Sequence, residues 1–189
     1  MSFSYCEAVQ SGRLHAVHTA YHNLEYGFPL LTDDALFERL VLEINQAGLS
    51  WKTILKKREG FKRAYANFHL ETVASFDEND VARLLQDAGI IRNRLKVNAA
   101  ITNAKRILQL RASHGSFTAW LDAYHPQEKS AWVALFKRSF VFTGGEIVNE
   151  FLMSTGYLPG AHATDCPIHA QILELNPKWN SAPKPQDTP

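Results

Sequence analysis

The run Leu42-Glu43-Ile44-Asn45-Gln46-Ala47-Gly48-Leu49-Ser50-Trp51 sets a carboxylate and an indole on either side of a helix break at Gly48. If both face one cavity, they suit a flat, electron-poor ring: the aromatic face stacks on it, and the carboxylate accepts hydrogen bonds from its edge and attracts its positive charge. A plainer alternative puts Glu43 in solvent and Trp51 in the core. Phe37, Leu40, Val41 and Ile44 form one apolar stripe at helical spacing, and Glu43 falls beside it. The spacing therefore places Glu43 at least at the core boundary.

A second group has the chemistry of a metal site. His162 and Cys166 stand four apart, and Cys6 and His22 near the other end can complete a Cys2His2 set. Such a set closes a tetrahedral ion to water and serves structure rather than catalysis, here by tying the two ends of the chain together. His15, His18 and His169 compete for the histidine positions. A disulfide between the only two cysteines would be unusual in a reducing compartment.

The composition, 46% hydrophobic and 21% charged over 189 residues, is that of an ordinary soluble globule. No run approaches a membrane span, and the first residues lack the charged-then-apolar form of a signal peptide, so a cytoplasmic monomer is expected. A net charge of +1 does not by itself point to nucleic acid. Basic residues do cluster, at Lys52, Lys56, Lys57, Arg58, Lys62 and Arg63 and again at Arg92, Arg94 and Lys96, and such clusters ordinarily form solvated faces.

The elements that must position these groups read as helices throughout. Residues 1–31 are irregular or short-helical. A helix follows from a Thr32 or Asp33 cap to about Ala47, and another from Ser50 to Gly60. Asp77 caps a helix ending at Gln86; a tight apolar turn then leads into a long helix from Asn93 towards Arg111. Shorter helices are expected after Ser116, over 129–140, after Gly144-Gly145, and after a Thr164 or Asp165 cap. The fold class is all-α, a compact array of roughly eight or nine helices. One domain spans residues 1–175, and residues 176–189 form a loose tail. In the turn, Gly89, Ile90 and Ile91 can offer backbone N–H groups to a phosphate, with Arg92 and Arg94 adding charge; an ordinary helical hairpin is the alternative.

Several of these motifs, in this order, resemble 3-methyladenine DNA glycosylase I, a bacterial base-excision repair family of the helix-hairpin-helix superfamily. The resemblance rests on Tyr21-His22-Asn23-Leu24-Glu25-Tyr26-Gly27, the Glu43 to Trp51 run, Leu55-Lys56-Lys57-Arg58-Glu59, the turn from Asp87 to Arg94 and the C-terminal His162/Cys166 pair. It implies a structural Zn2+ held by Cys6, His22, His162 and Cys166, and a helix-hairpin-helix that grips the DNA backbone. It also implies a pocket in which Glu43 reads the flipped base against Trp51, with Tyr21 and Tyr26 nearby. Leu49 becomes either a wedge in the DNA or a core leucine.

The resemblance departs from the family where the base should sit. Ala8 stands where the family usually has tryptophan, Tyr26 replaces the tryptophan of Glu-Trp-Gly, His18 an aromatic tyrosine, and Gly145-Glu146 a Thr-Thr pair. No Asp or Glu occurs from Ala88 through Leu121. This argues against an aspartate-dependent glycosylase and fits one restricted to labile, cationic lesions such as 3-methyladenine in double-stranded DNA. The implied activity is a monofunctional N-glycosylase. A zinc-stabilised lesion-binding protein that has lost excision is the alternative, and a zinc hydrolase is disfavoured because four protein ligands close the metal.

Overall fold

The computed structural model describes residues 4–181, and within them the chain is helical without strands. Eleven α-helices follow in order: α1 (Tyr5–Gln10), α2 (Val17–Leu24), α3 (Asp33–Gln46), α4 (Trp51–Ala64), α5 (Leu70–Ala74), α6 (Glu78–Gln86), α7 (Arg94–His114), α8 (Phe117–Tyr124), α9 (Lys129–Ser139), α10 (Gly145–Ser154) and α11 (Pro167–Glu174). Two 3-10 turns occupy Ala66–Phe68 and Lys178–Asn180. No helix among the described residues is long and apolar enough to cross a membrane.

Side chains expected to start helices do so. Thr32, Ser50, Asp77, Asn93 and Ser116 each accept a backbone N–H from the first turn that follows. The last helix differs: its N-cap is Cys166, with Pro167 at N1, and neither Thr164 nor Asp165 caps it.

Helix α3 lies at the centre, packed against α4, α5, α7, α8 and α10. Its burial is not confined to a stripe, because Leu36, Leu42, Glu43 and Asn45 are as enclosed as Phe37, Leu40, Val41 and Ile44. A helix buried on every side carries each of its polar groups into the interior. Glu43 is therefore inside the core rather than at its boundary.

Glycine at position 60 reads as the end of the second helix, but α4 runs through it to Ala64. Gly60 instead admits a close approach: a Cβ built on it would lie 2.3 Å from the carbonyl oxygen of Gly89, in the turn between α6 and α7. Lys57 Nζ donates to the Ala88 carbonyl at 2.6 Å, so α4 holds that turn by one bare contact and one hydrogen bond. Gly60→Ala should force the turn away and lower stability by about 1–3 kcal/mol, the usual cost of overpacking. Thermal unfolding checks this, and an unchanged melting temperature would show that the turn can yield freely.

The N-terminal segment, irregular or short-helical by its sequence, forms α1 and α2. At the other end, residues 176–181 are not a loose tail. Lys178 pairs with Asp122 at 2.7 Å, the Trp179 N–H donates to Gly156, and the Trp179 ring stacks on His169. The rest of the expected tail, 182–189, lies outside the described residues, as do residues 1–3.

Candidate base pocket and metal centre

A cavity of about 290 Å3 opens between α2, α3, α4 and α10, lined by Tyr5, Tyr21, Tyr26, Glu43, Gln46, Trp51 and Glu150. Glu43 is 3% exposed. Burial pushes its carboxyl up to about 8, with Arg39 opposing the rise and Glu150 adding to it. Among the described residues no group donates a hydrogen bond to that carboxyl. The Trp51 indole N–H is likewise buried without an acceptor. A folded interior seldom leaves such groups unmet, and a carboxyl without a donor in the wall of a cavity is a polar group available to a guest.

The aromatic walls are set at fixed angles. Tyr21 meets Trp51 edge-on at 5.0 Å and lies 5.5 Å from Tyr26, and Tyr5 stands perpendicular to Tyr26 at 5.6 Å. Behind them, the buried Arg39 donates to the Tyr21 hydroxyl at 2.9 Å and pairs with Glu25, which also holds Arg58; Arg58 in turn pairs with Glu38. This chain of charge-assisted bonds fixes α2, α3 and α4 relative to one another. It also removes Arg58 from the solvated basic face on which the sequence placed it.

Lys96 is likewise no surface residue. Its Nζ donates to the carbonyls of Asn45 at 2.8 Å and Ala47 at 2.7 Å, capping the C-terminus of α3 beside the Gly48 break. Burial lowers its pKa. In this way the first turn of α7 is fastened to the loop that carries Leu49.

Leu49 is 41% exposed and outside the core. With Gly48, Glu146 and Ile147 it lines a groove that is continuous with the pocket through the shared residues Glu43, Gln46 and Glu150. In the α6–α7 turn, the Gly89 N–H is already bound by Asp87 Oδ1 at 2.7 Å. Ile90 is buried, Ile91 half-buried, and Arg92 and Arg94 exposed, Arg94 near Glu78 at 3.4 Å. The amides of Arg94 and Leu95, at the first turn of α7, have no acceptor within the described residues.

One turn before Ala8 on α1, Tyr5 supplies a ring to the pocket. The Tyr5 hydroxyl is hydrogen-bonded to Nδ1 of the buried His18 at 3.1 Å, so one of the unusual positions holds that ring in place. The spacing of known motifs gave no signal for Tyr5 or Glu150, which reach the cavity from α1 and α10, whereas Gln46 lies within the Glu43 to Trp51 run.

At the far side of Tyr5, Tyr21 and Tyr26, the side chains of Cys6, His22, His162 and Cys166 converge, all buried, with their ligand atoms within 4.8 Å of one another. Sulfur-to-nitrogen separations are 3.6 Å for Cys6–His162, 3.7 Å for Cys166–His162 and 3.8 Å for Cys166–His22. A tetrahedral ion with bonds of about 2.0–2.3 Å holds its ligand atoms about 3.3–3.8 Å apart, so the set fits one. The outer ring nitrogens are committed elsewhere: His22 Nδ1 to the Asn23 side chain at 2.6 Å and His162 Nε2 to the Tyr26 carbonyl at 2.8 Å. Protons held there leave lone pairs on the inner nitrogens, as a metal requires. Close packing of Gly27 against Ala161 and Ile172, where a Cβ would lie 2.8–3.0 Å away, brings the Tyr26 carbonyl to His162. His15, His18 and His169 are not among the four.

The family model for methyladenine glycosylase matches residues 12–169. DNA-3-methyladenine glycosylase 1 of Escherichia coli (strain K12) is 38% identical over 169 residues, covering 79% of this chain and 90% of that protein. The structure of 3-methyladenine DNA glycosylase I from Staphylococcus aureus, solved for 3-methyladenine recognition, superposes with a TM-score of 0.74 at 32% identity, covering 82% of this chain and 92% of that one. A tyrosine-to-phenylalanine variant of 3-methyladenine DNA glycosylase I in complex with 3-methyladenine gives 0.75 at 32% identity over 84% of this chain and 95% of its own. The chain therefore belongs to the methyladenine glycosylase family, that of the DNA-3-methyladenine glycosylase enzymes.

Proposed function

We propose that this protein excises 3-methyladenine from double-stranded DNA, hydrolysing the N-glycosidic bond after the nucleotide has turned out of the helix. The observation that carries the reading is the Glu43 carboxyl, enclosed in an aromatic cavity with no donor from the protein. A cationic purine supplies both what this group lacks, N–H donors and a positive charge. Methylation at N3 leaves the base poised to depart, because cleavage releases it neutral. Trp51 provides the stacking face, Tyr21 and Tyr26 close the chamber, and Gln46 stands at the opening.

Outside the chamber, exposed Leu49 can fill the space the base vacates, as apolar wedges do. The α6–α7 turn acts as a helix-hairpin-helix contact to the phosphodiester backbone through Arg92, Arg94 and the open amides of the first turn of α7. Asp87 already holds the Gly89 amide, which moves the phosphate towards Arg94 and away from Ile90 and Ile91. Cys6, His22, His162 and Cys166 hold a structural Zn2+; bound there, the ion braces the aromatic wall and has no vacant position for chemistry.

The test is incubation with methylated duplex DNA followed by chromatography of the freed bases. The expected result is release of 3-methyladenine in preference to 7-methylguanine. Tight binding to methylated DNA without any freed base would replace this reading with that of a lesion-binding protein, the alternative that the altered positions Ala8, His18 and Tyr26 raise.

A further inference from the structure

Glu150 is the second carboxylate of the cavity, and it belongs to no recognised motif. It belongs to α10 and lines both the aromatic pocket and the groove beside Leu49. Tyr26 Oη donates to Glu150 Oε2 at 3.1 Å, which fixes the carboxylate and leaves its other oxygen without a hydrogen bond from the pocket rings. Its surroundings are mixed: Tyr26 and Glu43 across the cavity, Glu146 one turn earlier on α10, and Lys129 on α9. Burial raises its pKa, while the Tyr26 and Asn149 hydrogen bonds and Lys129 work against the rise.

A nucleotide threaded from the groove into the chamber places its base among the rings and its deoxyribose where the two spaces join. Glu150 is at that junction. We infer that Glu150 is a catalytic carboxylate facing the sugar, one that stabilises the charge developing at C1′ and accepts the proton of the attacking water. This rests on the glycosylase reading and extends it.

The step balances without a co-reactant. The C1′–N9 bond breaks with its electron pair going to the cationic purine, which leaves neutral, and the positive charge passes to the sugar. A water oxygen bonds to C1′, and one of its protons goes to Glu150 and from there to solvent. Glu43 is less suited to this role, because it is enclosed in the core at 3% exposure, whereas Glu150 is only half-buried where the two spaces join. The two acids thus divide the work: one reads the leaving group and the other the sugar.

The test is Glu150→Gln, which preserves shape and can still accept from Tyr26. Under single-turnover conditions with saturating enzyme, excision of 3-methyladenine should slow by about a hundredfold, the usual size of an acid–base contribution. Affinity for methylated DNA and for free 3-methyladenine should change by no more than about twofold, a split that lost packing would not produce. In Glu150→Ala, added formate should restore part of the rate. An unimpaired rate in Glu150→Gln, or weakened base binding with the saturated rate intact, would overturn the assignment while leaving the glycosylase reading in place. Absence of base release by the unmodified protein would instead remove that reading itself.

Discussion

Glu43→Gln should all but abolish base release and at the same time make the folded protein more stable. The stability gain follows from proton linkage. In the unfolded chain this carboxyl ionises near 4.5, and in the folded protein near 8, because the enclosed site disfavours the charge. Below pH 4.5 both states hold the proton, and the group contributes no pH dependence. Between 4.5 and 8 the unfolded chain ionises first, so stability falls as pH rises, and above 8 the whole cost is in place. At pH 7 the penalty is roughly 3 kcal/mol, an order-of-magnitude figure from about 1.36 kcal/mol per pKa unit. The glutamine variant escapes it, so its melting temperature should exceed that of the unmodified protein more at about pH 8 than at about pH 5.

Activity moves the other way. A neutral amide keeps the shape but cannot take up the charge of the lesion, and loss of a charge-assisted hydrogen bond in an enclosed site costs roughly a hundredfold or more. Stability gained and excision lost in one substitution is the mark of a group kept for binding rather than folding. A Glu43→Gln protein that excises normally would take the base-reading role from this residue. One that melts lower at every pH would show that the carboxyl has partners within the fold.

That a buried acid sits beside the indole is partly legible in the residue pattern alone, because helix spacing puts Glu43 next to the stripe of Phe37, Leu40, Val41 and Ile44. The caps are legible too: Thr32, Ser50, Asp77, Asn93 and Ser116 act through atoms two or three residues away, and short-range chemistry survives in a linear reading. What the linear pattern hides depends on distant partners. Gly60 reads as a helix stop because the residue it must admit, Gly89, belongs to another element. Arg58 and Lys96 read as solvated charge because their acceptors, Glu25 and Glu38 in one case and the end of α3 in the other, are far along the chain. Helices α1 and α2 lack a clear apolar period for a related reason: Cys6, Tyr21 and His22 face the candidate metal centre and the pocket, places normally given to plain hydrophobic residues. Glu150 and Tyr5 carry no local mark, since nothing nearby in sequence distinguishes a pocket residue from its neighbours on a short helix.

The metal centre yields the other large effect. Removing Zn2+ by chelation, or changing Cys166 to serine, should lower stability by roughly 4 kcal/mol, the scale of a cross-link that closes a loop of more than about a hundred residues. Metal analysis of the purified protein should find one Zn2+ per chain, lost in Cys166→Ser. A closed tetrahedral set suggests that stability alone would suffer, yet the ligands and the pocket alternate along the same segments. Tyr5 precedes Cys6, Tyr21 precedes His22, and the Tyr26 carbonyl is held by His162. Three rings of the cavity thus stand beside the residues of the proposed metal centre, whereas Glu43 and Trp51 are anchored through α3 and α4, which pack into the main core. Metal loss should therefore weaken binding of free 3-methyladenine at temperatures where the helical circular dichroism signal is still intact. Protein that is metal-free, fully folded and unimpaired in excision would show that the four side chains hold together by themselves, and that the aromatic wall does not depend on the ion.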